Sequence, residues 1–145
     1  MTAPVKQFNF IDLFAGIGGM RLAFESAGGR CVLTCEIDEA AVVTYQANYS
    51  PTHAHEYVRD IKDVKKLPPY QVLVAGFPCQ PYSIAGLRKG LNDVRGQVFL
   101  EIIRILNDSK PKAFLLENVK GMRSHDGGRT FDFMLEELAK CGYHI

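Results

Sequence analysis

A cysteine, two glutamates and a glycine-rich turn hold most of the chemistry in this sequence. Each stands where an apolar run gives way to a loop. Cys79 lies in AGFPCQPYSIAG (75–86), directly after Val72-Leu73-Val74. Pro78 and Pro81 fix φ on either side of it and restrict the residues before them, so the thiol is aimed rather than left free; a cysteine clamped in this way suits a nucleophile. Glu117 follows the apolar run Leu115-Leu116 and leads into Asn118-Val119, which puts a group able to hold a proton at a second strand end. In Asp12-Leu-Phe-Ala-Gly16-Ile-Gly18-Gly19 the glycines allow a ligand close to the backbone at the start of a helix. Glu36 follows Gly16 by 20 residues, the offset at which a carboxylate can accept two ribose hydroxyls. A nucleoside-containing ligand is implied. The third glycine is adjacent to the second, unlike the dinucleotide fingerprint G-x-G-x-x-G, so a nicotinamide enzyme is the less favoured reading.

These residues need a scaffold that brings strand ends together, and the periodicity supplies one. Phe8 to Phe14 reads as a strand, and MRLAFESAGG (20–29) as a helix stopped by a glycine pair. CVLTCEI (31–37) reads as a second strand, and residues 38–49 as a helix capped by Asp38. Gln71 to Ala75 forms a third strand. Gly96 to Leu106 has helical periodicity, Ala113 to Leu116 reads as a buried strand entering Glu117, and Thr130 to Lys140 as an amphipathic helix. Alternating strands and helices predict a doubly wound α/β fold around a parallel sheet, with Glu36, Cys79 and Glu117 at its carboxyl edge. The pattern stops at Gly142-Tyr143-His144-Ile145, where a further strand is due, so the expectation is an incomplete sheet.

The 145 residues suffice for one domain with a real core. A run long enough to span a membrane and a signal-peptide pattern are both missing, which makes a cytoplasmic protein the expectation. Cysteines 31, 35, 79 and 141 lack C-x-x-C spacing, and neither a disulfide framework nor a metal site is expected. Cys31 and Cys35, four apart in one strand, are predicted to share a face. His53 and His55 read as part of a solvated loop. The net charge of +1 is too small for a chain that grips a nucleic acid backbone alone, so any such contact is local or shared with another piece.

In order and spacing, FIDLFAGIGG, CEID with Glu36, the pair Asp60-Ile61, AGFPCQPYSIAG and LLENVKG resemble the motifs of the DNA (cytosine-5)-methyltransferases across essentially the whole chain. The resemblance implies a Rossmann-like methyltransferase fold and S-adenosylmethionine as donor, with S-adenosylhomocysteine as product. Phe14, Ala15, Gly16, Gly18 and Gly19 would line the donor, Glu36 would hold its ribose and Asp60 its adenine amino group. Ile37 and Ile61 would pack on the ring, and Pro78 would contact donor or base. Cys79 thiolate would attack C6 of a cytosine flipped out of double-stranded DNA, while Glu117, kept protonated by burial, would donate to N3 and Asn118 would fix the surrounding loop. Gln80, Ser83 and Arg95 would touch the DNA from a mobile glycine- and arginine-containing segment; on sequence alone an ordinary solvated loop is equally good.

Complete members of that family continue past this point, with the last strands, a Gln-x-Arg-x-Arg motif and a target-recognition region. Residues 1–145 would therefore be the N-terminal portion of the catalytic domain, with no second domain. Three readings follow: a piece of a longer, restriction-linked or orphan methyltransferase; one subunit of a split enzyme whose partner supplies the rest; or a non-catalytic remnant that binds donor or partner. A relative acting on tRNA is a further alternative. Alone, the chain is expected to be inactive, to bind the donor weakly and to associate through an uncovered sheet edge.

Overall fold

The computed structural model describes residues 7–49, 55–78 and 94–145, with the side chains of 94–96 left aside. Two compact units divide the chain: residues 1–76 with 111–117, and residues 77–110 with 118–145.

The first unit holds β1 (Phe8–Leu13), α1 (Gly19–Ser26), β2 (Gly29–Cys35), α2 (Glu39–Asn48), β3 (Glu56–Val58), a 3₁₀ turn (Ile61–Asp63), β4 (Val72–Gly76) and β5 (Ala113–Glu117). All strand pairs are parallel, in the order β3-β2-β1-β4-β5. The chain winds outward from β1 to β2 and β3, then returns to place β4 on the other flank of β1. This makes the carboxyl ends of β1 and β4 the topological switch point of the sheet. Phe10, Ile11, Leu13, Leu33, Leu73 and Val74 are fully or almost fully buried, as continuous apolar strands of a covered parallel sheet should be. Phe8, Phe10 and Phe24 form an aromatic cluster with ring centroids 5.4–6.4 Å apart, each pair contributing about 0.5–1.5 kcal/mol beyond its area.

Local signals account for most element ends. Asp38 caps α2 by accepting from the Ala41 N–H at 2.8 Å. Gly28, with φ of 87°, stops α1, and the second glycine of the pair already begins β2.

Four sequence expectations are corrected. β3, only three residues long, was not foreseen: EYV is too short to show a period. Cys31 and Cys35 do not share a face. The register of β1 against β2 shifts between Phe10 and Ile11, and this irregularity reverses the alternation within β2. Cys31 Sγ lies 3.5 Å from Thr34 Oγ1, whereas the Cys35 thiol is directed to the Arg59 carbonyl. β5 is not a buried strand: Ala113, Leu115 and Glu117, which alternate along one face of it, are exposed, with Leu115 at 46%. His55 is not solvated; its Nε2 lies 2.8 Å from the buried Thr34 hydroxyl, and burial lowers its pKa to about 4. His53 lies outside the described residues.

The second unit contains α3 (Val94–Ser109), a 3₁₀ segment (Lys120–Gly128) broken at His125–Gly127, and α4 (Arg129–Lys140). Phe99, Ile102, Ile105 and Leu106 are buried along α3, four positions on one helical stripe. α4 buries Thr130, Met134 and Leu138 at four-residue intervals, again along one stripe. The Lys110 ammonium donates to the Cys141 carbonyl at 3.0 Å, tying the end of α3 to the end of α4.

Candidate functional site

The glycine turn after β1 is built by backbone conformation. Phe14 (φ 58°), Gly16 (φ 55°) and Gly18 (φ 93°) all lie in the left-handed region, where only glycine sits without strain; Phe14 is the costly member. The turn is held to β2 by the Ala15 N–H, which donates to the Cys35 carbonyl at 3.1 Å, and is closed on itself by Gly18 N–H donating to Ala15 O at 2.9 Å. Where a Cβ would stand at Gly16 or Gly19, nothing lies within 4 Å. The front of the turn is open, and its glycines keep it so.

Glu36 closes the arrangement from the end of β2. Its Oε2 accepts from the Gly16 N–H at 2.7 Å and its Oε1 from the Asp38 N–H at 2.8 Å. The 20-residue spacing thus becomes a direct bond between the carboxylate and the turn, a tie the sequence reading did not foresee. Each carboxylate oxygen keeps a further lone pair for a hydroxyl donor. The loop beyond is pinned as well: Tyr57 Oη donates to Glu36 O at 3.1 Å, and Arg59 Nη2 to Ile37 O at 2.9 Å. Ile37 is 62% exposed, an apolar surface beside the carboxylate. Asp60 accepts from the Lys62 N–H at 2.9 Å and so begins the 3₁₀ turn. Ile61 is buried, so of the two isoleucines expected to pack on a ring, Ile37 is the one that presents its side chain.

Behind the turn runs a polar network that sequence reasoning missed. Arg21, mostly buried on α1, donates to Glu25 at 2.8 Å and to Tyr45 Oη at 2.9 Å. Tyr45 Oη lies 2.6 Å from Thr34 Oγ1, which meets His55. The one available signal was Arg21 amid the apolar positions of α1. Asp12, also in this region, is 0% exposed and neither carboxylate oxygen has a hydrogen-bond partner. Burial raises its pKa to about 7; the backbone N–H and guanidinium of Arg21 pull the other way, but neither bonds it in ordinary geometry, and burial wins.

At the other flank, Glu117 ends β5 in register with Gly76 at the end of β4. A Cβ at Gly76 would meet Glu117 Oε2 at 3.5 Å, so the carboxylate lies over the glycine that leads into the proline loop. Its expected burial is not found: Glu117 is exposed and has no hydrogen-bond partner among the described residues. It stands on the same exposed face of β5 as Ala113 and Leu115. In the second unit, Asn118 Nδ2 donates to Phe77 O at 2.9 Å while its Oδ1 accepts from the Val119 N–H at 2.9 Å. Asn118 therefore fixes the start of the proline loop to the segment after β5, where Pro78 is exposed. Cys79, Gln80 and Ser83 lie outside the described residues, as does the Arg95 side chain. Among the described residues no helix is long and apolar enough to cross a membrane, and no cluster of three or more histidine, cysteine or acidic side chains could hold a metal.

With this geometry in hand, known proteins offer a close match. A family model for the C-5 cytosine-specific DNA methylases covers residues 8–145. The chain is 54% identical over 143 residues to the type II methyltransferase M.NlaX of Neisseria lactamica, covering 95% of this chain and 44% of that protein. It is 49% identical over 140 residues to M.DsaV of Dactylococcopsis salina, covering 97% and 39%. Among solved structures, a triple mutant of Spodoptera frugiperda DNMT2 superposes with a TM-score of 0.67 at 27% identity, over 92% of this chain and 41% of that one. The chain thus spans about two fifths of the length of these relatives.

Proposed function

The chain belongs to the family of C-5 cytosine-specific DNA methylases, and from that premise we propose that it is the donor-binding and nucleophile-bearing part of an enzyme that methylates C5 of cytosine in DNA. The observation that carries the donor half is the Glu36 carboxylate, bonded to the Gly16 N–H at 2.7 Å, at the edge of a turn with open space before it. These residues fit an adenosyl amino acid. Glu36 would accept from the ribose hydroxyls, Ile37 would lie against the adenine ring, Asp60 would accept from its amino group, and Phe14 to Gly19 would line the remainder. Once bound, S-adenosylmethionine supplies a methyl group made electrophilic by its sulfonium.

This chain's own residues would then make cytosine able to accept that methyl. C5 is a poor nucleophile until electrons are pushed into the ring. Cys79 thiolate would add to C6, forming a C–S bond and shifting the C5–C6 π electrons towards the ring carbonyl and N3, while Glu117 would donate its proton to N3 and neutralise the charge that arrives there. After C5 has been alkylated, loss of its proton to solvent restores the C5–C6 double bond and expels Cys79 as thiolate, and N3 returns its proton to Glu117. Glu117 is exposed, so the incoming base would be what excludes water from it. Asn118 would hold the loop that bears Cys79. Such an attack needs the cytosine out of the duplex stack, and Gln80, Ser83 and Arg95 are proposed to contact the flanking DNA.

The remaining three fifths of such an enzyme, as a continuation or a complementing subunit, would supply DNA sequence recognition. The test is a duplex with 5-fluorocytosine in place of the target cytosine, incubated with the protein, its complementing part and S-adenosylmethionine. Fluorine cannot leave as the proton does, so a covalent protein–DNA adduct mapping to Cys79 is expected. An adduct on another residue, or turnover without one, would overturn the assignment. Methyl transfer to tRNA in place of DNA would redirect the substrate.

A further inference from the structure

We propose that Tyr49 is a positioning residue for the donor site, acting through the carbonyl of Gly18; the inference rests on the function proposed above. Gly18 is the N-cap of α1, and it has no side chain with which to fix itself. Glycine has the widest backbone freedom of any residue, yet the open face of the turn depends on this one holding φ at 93°. Its amide is bonded to Ala15 O, and its carbonyl accepts the first helical hydrogen bond from the Leu22 N–H at 3.0 Å. The only tie from outside the turn and helix among the described residues comes from Tyr49, at the end of α2, whose hydroxyl donates to Gly18 O at 2.8 Å.

The tyrosine is itself held in place. Its ring packs on that of Tyr45 with centroids 4.8 Å apart, and the Arg21 guanidinium sits 4.3 Å from its centroid. Arg21 cannot drift, because Glu25 and Tyr45 Oη both accept from it. The ring also fills the space behind the turn: a Cβ on Gly18 would come within 2.3 Å of Tyr49 Cε2. Tyr49 therefore blocks the turn from moving backwards while its hydroxyl prevents it from moving forwards. Neither group reaches the open face where the donor would bind, so its action there is indirect.

The measurement is a pair of readouts on wild type and Tyr49→Phe, a variant that keeps the ring and its packing. Amide hydrogen exchange without ligand should show the Gly18 and Leu22 amides exchanging about fivefold to tenfold faster in the variant, as the loss of one neutral hydrogen bond implies, with the rest of α2 far less affected and the unfolding midpoint lowered only slightly. Calorimetric titration with S-adenosylmethionine should give a Kd higher by a similar factor. Tyr49→Leu, which removes the ring as well, should weaken binding further. Unchanged affinity in Tyr49→Phe beside a wild type that binds would overturn this inference alone. A wild type that does not bind the donor would overturn the proposed function, and the exchange rates would still decide whether Tyr49 holds the turn.

Discussion

Beyond the ends of β1 and β2 the glycine turn, the Glu36 carboxylate and the carbonyls of Glu36 and Ile37 already have partners within the chain, whereas at the ends of β4 and β5 the Glu117 carboxylate stands exposed over a glycine. Glu36 spends one lone pair of each oxygen on backbone amides, Arg59 and Tyr57 hold the carbonyls beside it, and Tyr49 holds the turn. Glu117 has no such partner among the described residues. The contrast teaches that the side proposed to bind the donor is tied together by side chains of the first unit that lie 20 to 31 residues apart in sequence, while Glu117 is not tied in this way among the described residues. Preorganisation lowers the ordering cost of binding.

If that contrast is right, substitutions on the two flanks should separate binding from chemistry. The largest effect is expected at Cys79→Ser in the complete enzyme: transfer falls by at least about 10⁴-fold, as for other lost covalent nucleophiles, while donor affinity measured by calorimetry stays within twofold. Persistent transfer would remove Cys79 from the mechanism. Next, Glu117→Gln should slow single-turnover methylation by roughly 10²- to 10⁴-fold without changing donor affinity or the unfolding midpoint. A matching loss of donor affinity would break the division between the flanks.

Glu36→Ala should do the reverse. It deletes a charged acceptor for the ligand and also unties Gly16 and Asp38, so donor Kd should rise by about 10- to 100-fold, with single-turnover rate at saturating donor nearly retained. Equal binding by the variant would mean that the turn needs no carboxylate.

The smallest effects concern the network behind the turn, and they have opposite signs. The pKa of Asp12 is raised from 3.8 to about 7, so between those values the folded chain holds a proton that the unfolded chain has lost, and stability falls as pH rises. That of His55 is lowered from 6.5 to about 4; there the unfolded chain binds more protons, and stability rises with pH. Over about pH 4 to 6.5 the two largely cancel. Asp12→Asn should unmask a rise across that window and His55→Asn a fall, each on the order of 1–3 kcal/mol, read from urea midpoints at several pH values. Parallel curves for wild type and Asp12→Asn would show that burial of Asp12 does not govern this region.

Much of the local geometry around the candidate site was legible in the sequence because its signals are local. The glycines at 16 and 18 announce positive φ, Asp38 announces a helix start, and the offset from Gly16 to Glu36 is the length of one helix and one strand. The motif order from FIDLFAGIGG to LLENVKG identified the family. What the sequence could not contain were consequences of contact between distant positions. That β4 lies beside β1, that the register shift at Phe10 and Ile11 turns Cys31 and Cys35 to opposite faces, and that Tyr49 reaches back 31 residues to Gly18 all depend on which surfaces meet. Burial follows the same rule: Asp12 loses water and Glu117 keeps it according to whether the rest of the chain covers their strands, a property of the packed sheet and not of either residue's neighbours in sequence.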